Sequence, residues 1–223
     1  VTEEDTMDRR HFLGVTATAA LGLAALSTLP GSPDRPEKNG YAGTSSEERR
    51  RSRFLDVPLV THEGRRVRFY TDLIKGRTVF LNTLYTACTA EAICPLGTAN
   101  LVEVQKILGP RAGRDVFMYS ITLDPVNDTP RVLKSYARAF GVKPGWTFLT
   151  GEKDDIERLR RNLGYVDLDP VVDKDPSQHS GMVRYGIEPL ELWAGCAILS
   201  RPDVIVRHLA WMEPGGGAAN PAA

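Results

Sequence analysis

Two nearly unbroken apolar runs constrain this chain more than any other feature: "TVFLNTLYT" at 78–86 and "DVFMYSITLDP" at 115–125. A strand with one wet face alternates apolar and polar residues. A continuous run needs cover on both sides, which a sheet with helices on both faces supplies. The segments between and after the runs carry the matching helical signals. "PLGTANLVEVQKILG" spaces Leu96, Leu101, Val104 and Leu108 at helical intervals and is stopped by Gly109-Pro110. "TPRVLKSYARAFG" opens on Thr129 as a cap with Pro130 at the first helical position. "WTFLTG" reads as a short strand, and "EKDDIERLRRNLG" as a helix closed by glycine.

Upstream, "FLDVPLVTHEGRRVRFY" reads as a hairpin turning at Glu63-Gly64. Downstream, "CAILS" and "VIVRHLAW" read as two final strands joined through Arg201-Pro202-Asp203, after a strand-like run that follows His179. The fold class expected from this order is α/β: a thioredoxin-like mixed sheet flanked by helices, with an N-terminal hairpin.

The folded unit then spans 53–212. Before it, residues 31–52 are rich in Pro, Gly, Ser and charge and read as a disordered linker, and residues 213–223 read as a disordered tail. Residues 1–30 carry Arg9-Arg10, an alanine-rich apolar run to about Leu29 and a small-residue exit, the pattern of a twin-arginine signal peptide or a weak anchor. The expected location is exported, in the periplasm or on the outer face of the cytoplasmic membrane. Lys+Arg and Asp+Glu both number 28, so there is no cationic excess to neutralise phosphates, and nucleic acid is not an expected partner.

Three cysteines are too few for a disulfide scaffold. Cys88 follows the first buried run, and Cys94 stands directly before Pro95 at the start of the next helix. A strand end and a helix start face each other across one loop, and five intervening residues can close a ring through a disulfide or a shared metal ion. The helix start is also expected to lower the Cys94 thiol pKa. Two buried thiols without chemistry are the plainer alternative. Of the four histidines, His62 falls on the hairpin turn, His208 in a strand, and His179 in the polar loop "DKDPSQHSG". Cys196, before Ala197-Ile198-Leu199, reads as a core strand residue, with a resolving thiol as the sharper alternative.

Taken together, "DLIKGRTVFLNTLYTAC", "ICPLGTANLVEVQ", "SITLDPVNDTPRVLKSYARAFG", "WTFLTG" and the histidine of "HSGMV" resemble the SCO/SenC family of copper-handling, thioredoxin-fold proteins. The resemblance implies copper as the bound metal, with Cys88, Cys94 and His179 as ligands and Asp124 nearby. It implies a respiratory oxidase subunit as client in cytochrome c oxidase assembly, and a thioredoxin-like reductant as a further partner. The family's Cys-x3-Cys-Pro pattern would place its first cysteine at Ala90; here it is Cys88, so the loop is longer. Three functions follow: copper delivery, thiol–disulfide exchange through Cys88 and Cys94, or a relative that has lost its metal. Two thiolates and an imidazole also suit zinc.

Overall fold

The structure, a computed structural model, describes residues 45–88, 93–174 and 181–215. The expected signal segment, most of the expected linker, His179 and residues 216–223 lie outside the described residues. Among those described, no helix is long and apolar enough to cross a membrane.

The two apolar runs become adjacent parallel strands, β3 (Thr78–Leu84) and β4 (Val116–Thr122), in register from Thr78↔Val116 to Leu84↔Thr122. β5 (Trp146–Thr150) continues the parallel set beside β4. The hairpin of β1 (Pro58–Thr61) and β2 (Arg66–Arg68) adds to β5 antiparallel. On the other flank, β6 (Met182–Ile187) and β7 (Leu192–Ala197) form a second antiparallel hairpin. The seven strands run in the order β2-β1-β5-β4-β3-β6-β7.

The pleat divides the core in two. Phe80, Leu84, Met118, Phe148, Val183 and Tyr185 face one layer, which contains Cys88 and Cys94. Val79, Leu81, Tyr119, Ile121 and Leu149 face the other, against Phe69 and Ile74. The first layer is covered by α2 (Ile93–Leu108), α3 (Pro130–Ala139) and α6 (Pro202–Met212). The second takes Ile156 and Leu159 from α4 (Lys153–Asn162), which the short α5 (Pro170–Lys174) follows in the chain. This is the expected mixed sheet with helices on both faces.

Three readings need correction. Residues 204–211 are not a strand but the body of α6. The β-branched run Val204-Ile205-Val206 favours a strand locally, but Pro202 and Asp203 supply a helix start, and Ile205 and Leu209 bury one helical face. The terminal hairpin is therefore β6–β7, turned through Glu188–Leu190 with Glu191 at a φ of 55°. Finally, the expected linker ends in a helix, α1 (Ser46–Arg53), with a reciprocal capping box between Ser45 and Glu48. Its Arg50 pairs with the buried Glu188 at 3.2 Å, and its Glu47 with Lys75 at 2.7 Å. Glu188 also accepts from the Tyr70 hydroxyl at 2.8 Å and the Gly76 N–H at 2.7 Å.

Candidate metal centre

The C-terminal ends of parallel strands leave a crevice where loops depart in different directions, and functional groups collect there. β3 runs out at Leu84, and Cys88 closes the turn that follows, its N–H donating to the Tyr85 carbonyl at 3.4 Å. α2 begins at Ile93, so Cys94 sits in its first turn and points back at the sheet. The residues between, 89–92, lie outside the described set. The longer loop nonetheless returns the pair to one place: the Cys88 and Cys94 thiols are hydrogen-bonded to each other. Both side chains are buried.

The electrostatics run against the helix-start expectation. The Cys94 thiol is pushed well above its ordinary pKa, first by burial; the Cys88 thiol and the Asp128 carboxyl add to the effect, and a hydrogen bond from the Tyr85 N–H opposes it only partly. A helix N-terminus favours a thiolate, but burial in apolar surroundings disfavours it, and the larger effect sets the direction. Here the low-dielectric core layer wins, and the Cys94 thiol keeps its proton in the metal-free protein.

Two further residues shape this end. Asp128 is buried at 1% exposure, and its carboxyl accepts from the Thr86 N–H at 3.1 Å and from the Thr86 and Thr122 hydroxyls at 2.5 Å each. It thereby ties the cysteine turn to the end of β4. Asp124, the acid the family resemblance implies, accepts from the Asn127 side-chain amide at 2.7 Å within its own loop. Tyr136, on α3, meets Thr98 of α2 at 3.0 Å through their hydroxyls, and the phenol is pushed up to about 12, chiefly by burial, with Cys94 and Cys88 close enough to contribute. Asp128 looks in sequence like any loop acid. Tyr136 was findable, since Leu133 and Ala137 mark the buried face of the same helix.

The remaining candidates are placed elsewhere. His62 is half-buried: its Nδ1 accepts from the Phe148 N–H at 3.1 Å, and burial lowers its pKa. His208 lies on α6, its Nδ1 3.0 Å from the Tyr185 hydroxyl. Cys196 is in β7, half-exposed, and hydrogen-bonds to Tyr185 and Ser200. His179 lies outside the described residues; the last helix described before it, Pro170–Lys174, is anchored. Arg160 grips Asp173 through two hydrogen bonds of 2.6 and 2.9 Å, and the Asp167 N–H donates to the same carboxylate at 2.9 Å. Among the described residues no three His, Cys, Asp or Glu side chains converge as a metal cage; two sulfurs do.

A family model described as SCO1/SenC matches residues 47–183, more than half of the chain. The protein belongs to the SCO1/SenC family. A SCO1 protein homolog of Bacillus subtilis is 37% identical over 88 residues, covering 39% of this chain and 44% of that protein. The chain thus spans less than half the length of the curated relatives it matches. The solved structure of Bradyrhizobium japonicum ScoI with copper bound has a TM-score of 0.55 at 23% identity, covering 70% of this chain and 97% of that one. BsSco, described as a member of the Sco family of cytochrome c oxidase assembly proteins with a disulfide switch, superposes at a TM-score of 0.56 and 23% identity, over 70% of this chain and 91% of its own. At these identities the likeness carries the thioredoxin-like fold.

Proposed function

We propose that this protein is an exported copper carrier that holds copper as cargo between the Cys88 and Cys94 thiolates and the His179 imidazole, and hands it to a respiratory oxidase subunit. The observation that carries the reading is the thiol–thiol contact at the end of β3. Two soft donors already adjacent suit Cu(I), which favours thiolates over oxygen ligands. Burial keeps the Cys94 thiol protonated in the metal-free protein, so copper displaces that proton on entry, as thiolate ligation requires. Asp128 holds the cysteine turn and Asp173 holds the approach to His179; neither needs to touch the metal.

Thiol–disulfide exchange is favoured by the same proximity, since a disulfide needs only two sulfurs in reach. Burial of both sulfurs and the raised Cys94 pKa weigh against a fast general reductase.

The test is anaerobic loading of the reduced full chain with Cu(I) against a competing chelator, counting copper after desalting. The expected result is about one copper per chain, as a single Cys₂His site requires, lost on Cys88→Ser, on Cys94→Ser and on His179→Ala. Copper retained equally by all three variants overturns the reading. Loss on the cysteine changes alone would leave the thiol pair as the site and remove His179 from it.

A further inference from the structure

At the opposite ends of β3, β4 and β5, where these strands begin, the surface opens into a cleft of about 720 Å³. Its walls carry four arginines, Arg65, Arg66, Arg77 and Arg114, and one carboxylate, Asp72. Asp72 is engaged by the Arg68 N–H at 2.7 Å. Arg114 is held by Asp115 and Arg65 loosely by Glu63 at 3.6 Å, but among the described residues no carboxylate pairs with Arg66 or Arg77. Arg77 is nevertheless fixed in place. Its guanidinium lies over the Phe117 ring at 4.6 Å and donates to the Tyr119 hydroxyl at 2.8 Å. Tyr119 keeps its proton, because burial raises its pKa, so that proton is a further donor at the cleft wall.

Arginines on an edge strand such as β2 discourage sheet-to-sheet pairing. That does not account for Arg77 and Arg114, which come from other elements, nor for a concave wall. A guanidinium stacked on a ring, bonded on one side and unpaired on the other, is a preorganised fork for a tetrahedral oxyanion.

We propose that this cleft binds a multiply charged phosphate group, carried on a soluble phosphate ester or on a lipid headgroup. A lone carboxylate would leave most of the donors unused. The site is remote from the cysteines and does not depend on copper.

The experiment is calorimetric titration of the metal-free full chain with inorganic pyrophosphate at low ionic strength, with sedimentation against phosphatidic acid and phosphatidylcholine vesicles as a second arm. Saturable binding is expected, weakened about tenfold by Arg66→Gln, since a hydrogen bond to a charged group is worth that much. Arg66 is exposed, so this variant folds, and Arg201→Gln, an exposed arginine on the far side, should leave binding unchanged. Sedimentation with phosphatidic acid that pyrophosphate reverses assigns the phosphate to a lipid; pyrophosphate binding without sedimentation assigns it to a soluble ester. Absence of saturable pyrophosphate binding, or equal weakening by Arg66→Gln and Arg201→Gln, overturns the proposal.

Discussion

The same three parallel strands end in two different chemistries. At their C-terminal ends the thiols of Cys88 and Cys94 are buried in the same apolar layer as Leu84, Val183 and Ile198, with a buried carboxyl, Asp128, close by. At their N-terminal ends four arginines stand around an open cleft. Formal charge for the whole chain is zero, so composition hides the contrast. The difference is one of solvation. In the dry pole a group is held neutral and its partners must be internal; in the wet pole charge is unpaired because water, or a ligand, can complete it.

The strongest way to break the comparison is to remove the internal partner at the dry pole. Asp128→Ala leaves the buried Thr122 hydroxyl and the part-buried Thr86 donors without an acceptor, at about 3 kcal/mol, which lowers the melting temperature by roughly 6–12 °C in a domain of this size. Asp124→Ala, whose partner Asn127 is exposed, should cost about 1 kcal/mol or less. Differential scanning calorimetry of the two variants checks the ranking. Equal losses would mean that the cysteine turn is not held from behind by Asp128.

Next in size is a small-to-large change on the helix that carries Cys94. A Cβ added at Gly97 would lie 2.8 Å from the Ile198 Cδ1 atom, so Gly97→Val should cost roughly 1–3 kcal/mol by overpacking, visible as a lower urea midpoint. A neutral Gly97→Val would show that Ile198 has room to move and that the dry pole is looser than its burial implies.

Access distinguishes the thiols more gently. In the reduced, metal-free protein at neutral pH, iodoacetamide should label half-exposed Cys196 before buried Cys88 and Cys94. Mass spectrometry of a time course reads the order. Faster labelling of Cys94 would mean that its turn opens readily, and would move the functional reading toward thiol exchange.

Much of this was legible in the sequence, and the failures share a cause. Unbroken apolar runs marked β3 and β4 because nothing but a doubly covered sheet can use them. Thr129-Pro130 marked the start of α3 because capping is a local interaction. α6 was misread because three consecutive β-branched residues state a local preference that packing of Ile205 and Leu209 overrides. The Ser45–Glu48 capping box was in plain view but lay in a stretch whose overall composition suggested disorder. The Cys94 thiol was expected to be acidic from its place at a helix start; only the three-dimensional layer around it reveals the burial that reverses the direction. Asp128 matters through partners from two other elements, so neighbouring residues could not mark it.

The smallest expected effect lies at the wet pole and is read through pH. Asp56 anchors the turn Phe69–Ile74, which supplies Asp72 and Leu73 to the cleft wall; it accepts from the Tyr70 and Thr71 N–H groups at 2.9 Å each and pairs with Arg68. Burial alone would raise its pKa, but the hydrogen bonds from Thr71 and Arg68 outweigh it and bring the carboxyl from 3.8 to about 2. A carboxylate with a depressed folded-state pKa stabilises the protein fully above its unfolded value and loses that contribution as pH falls through the folded one. Asp56→Asn should therefore cost about 1 kcal/mol near neutral pH, allowing for the screening of a partly exposed group, and progressively less as pH falls below about 4. Urea denaturation of both proteins across that range measures the difference. A gap that stays constant with pH would mean that Asp56 acts by shape alone, and that the wet pole's wall does not rest on a charged anchor.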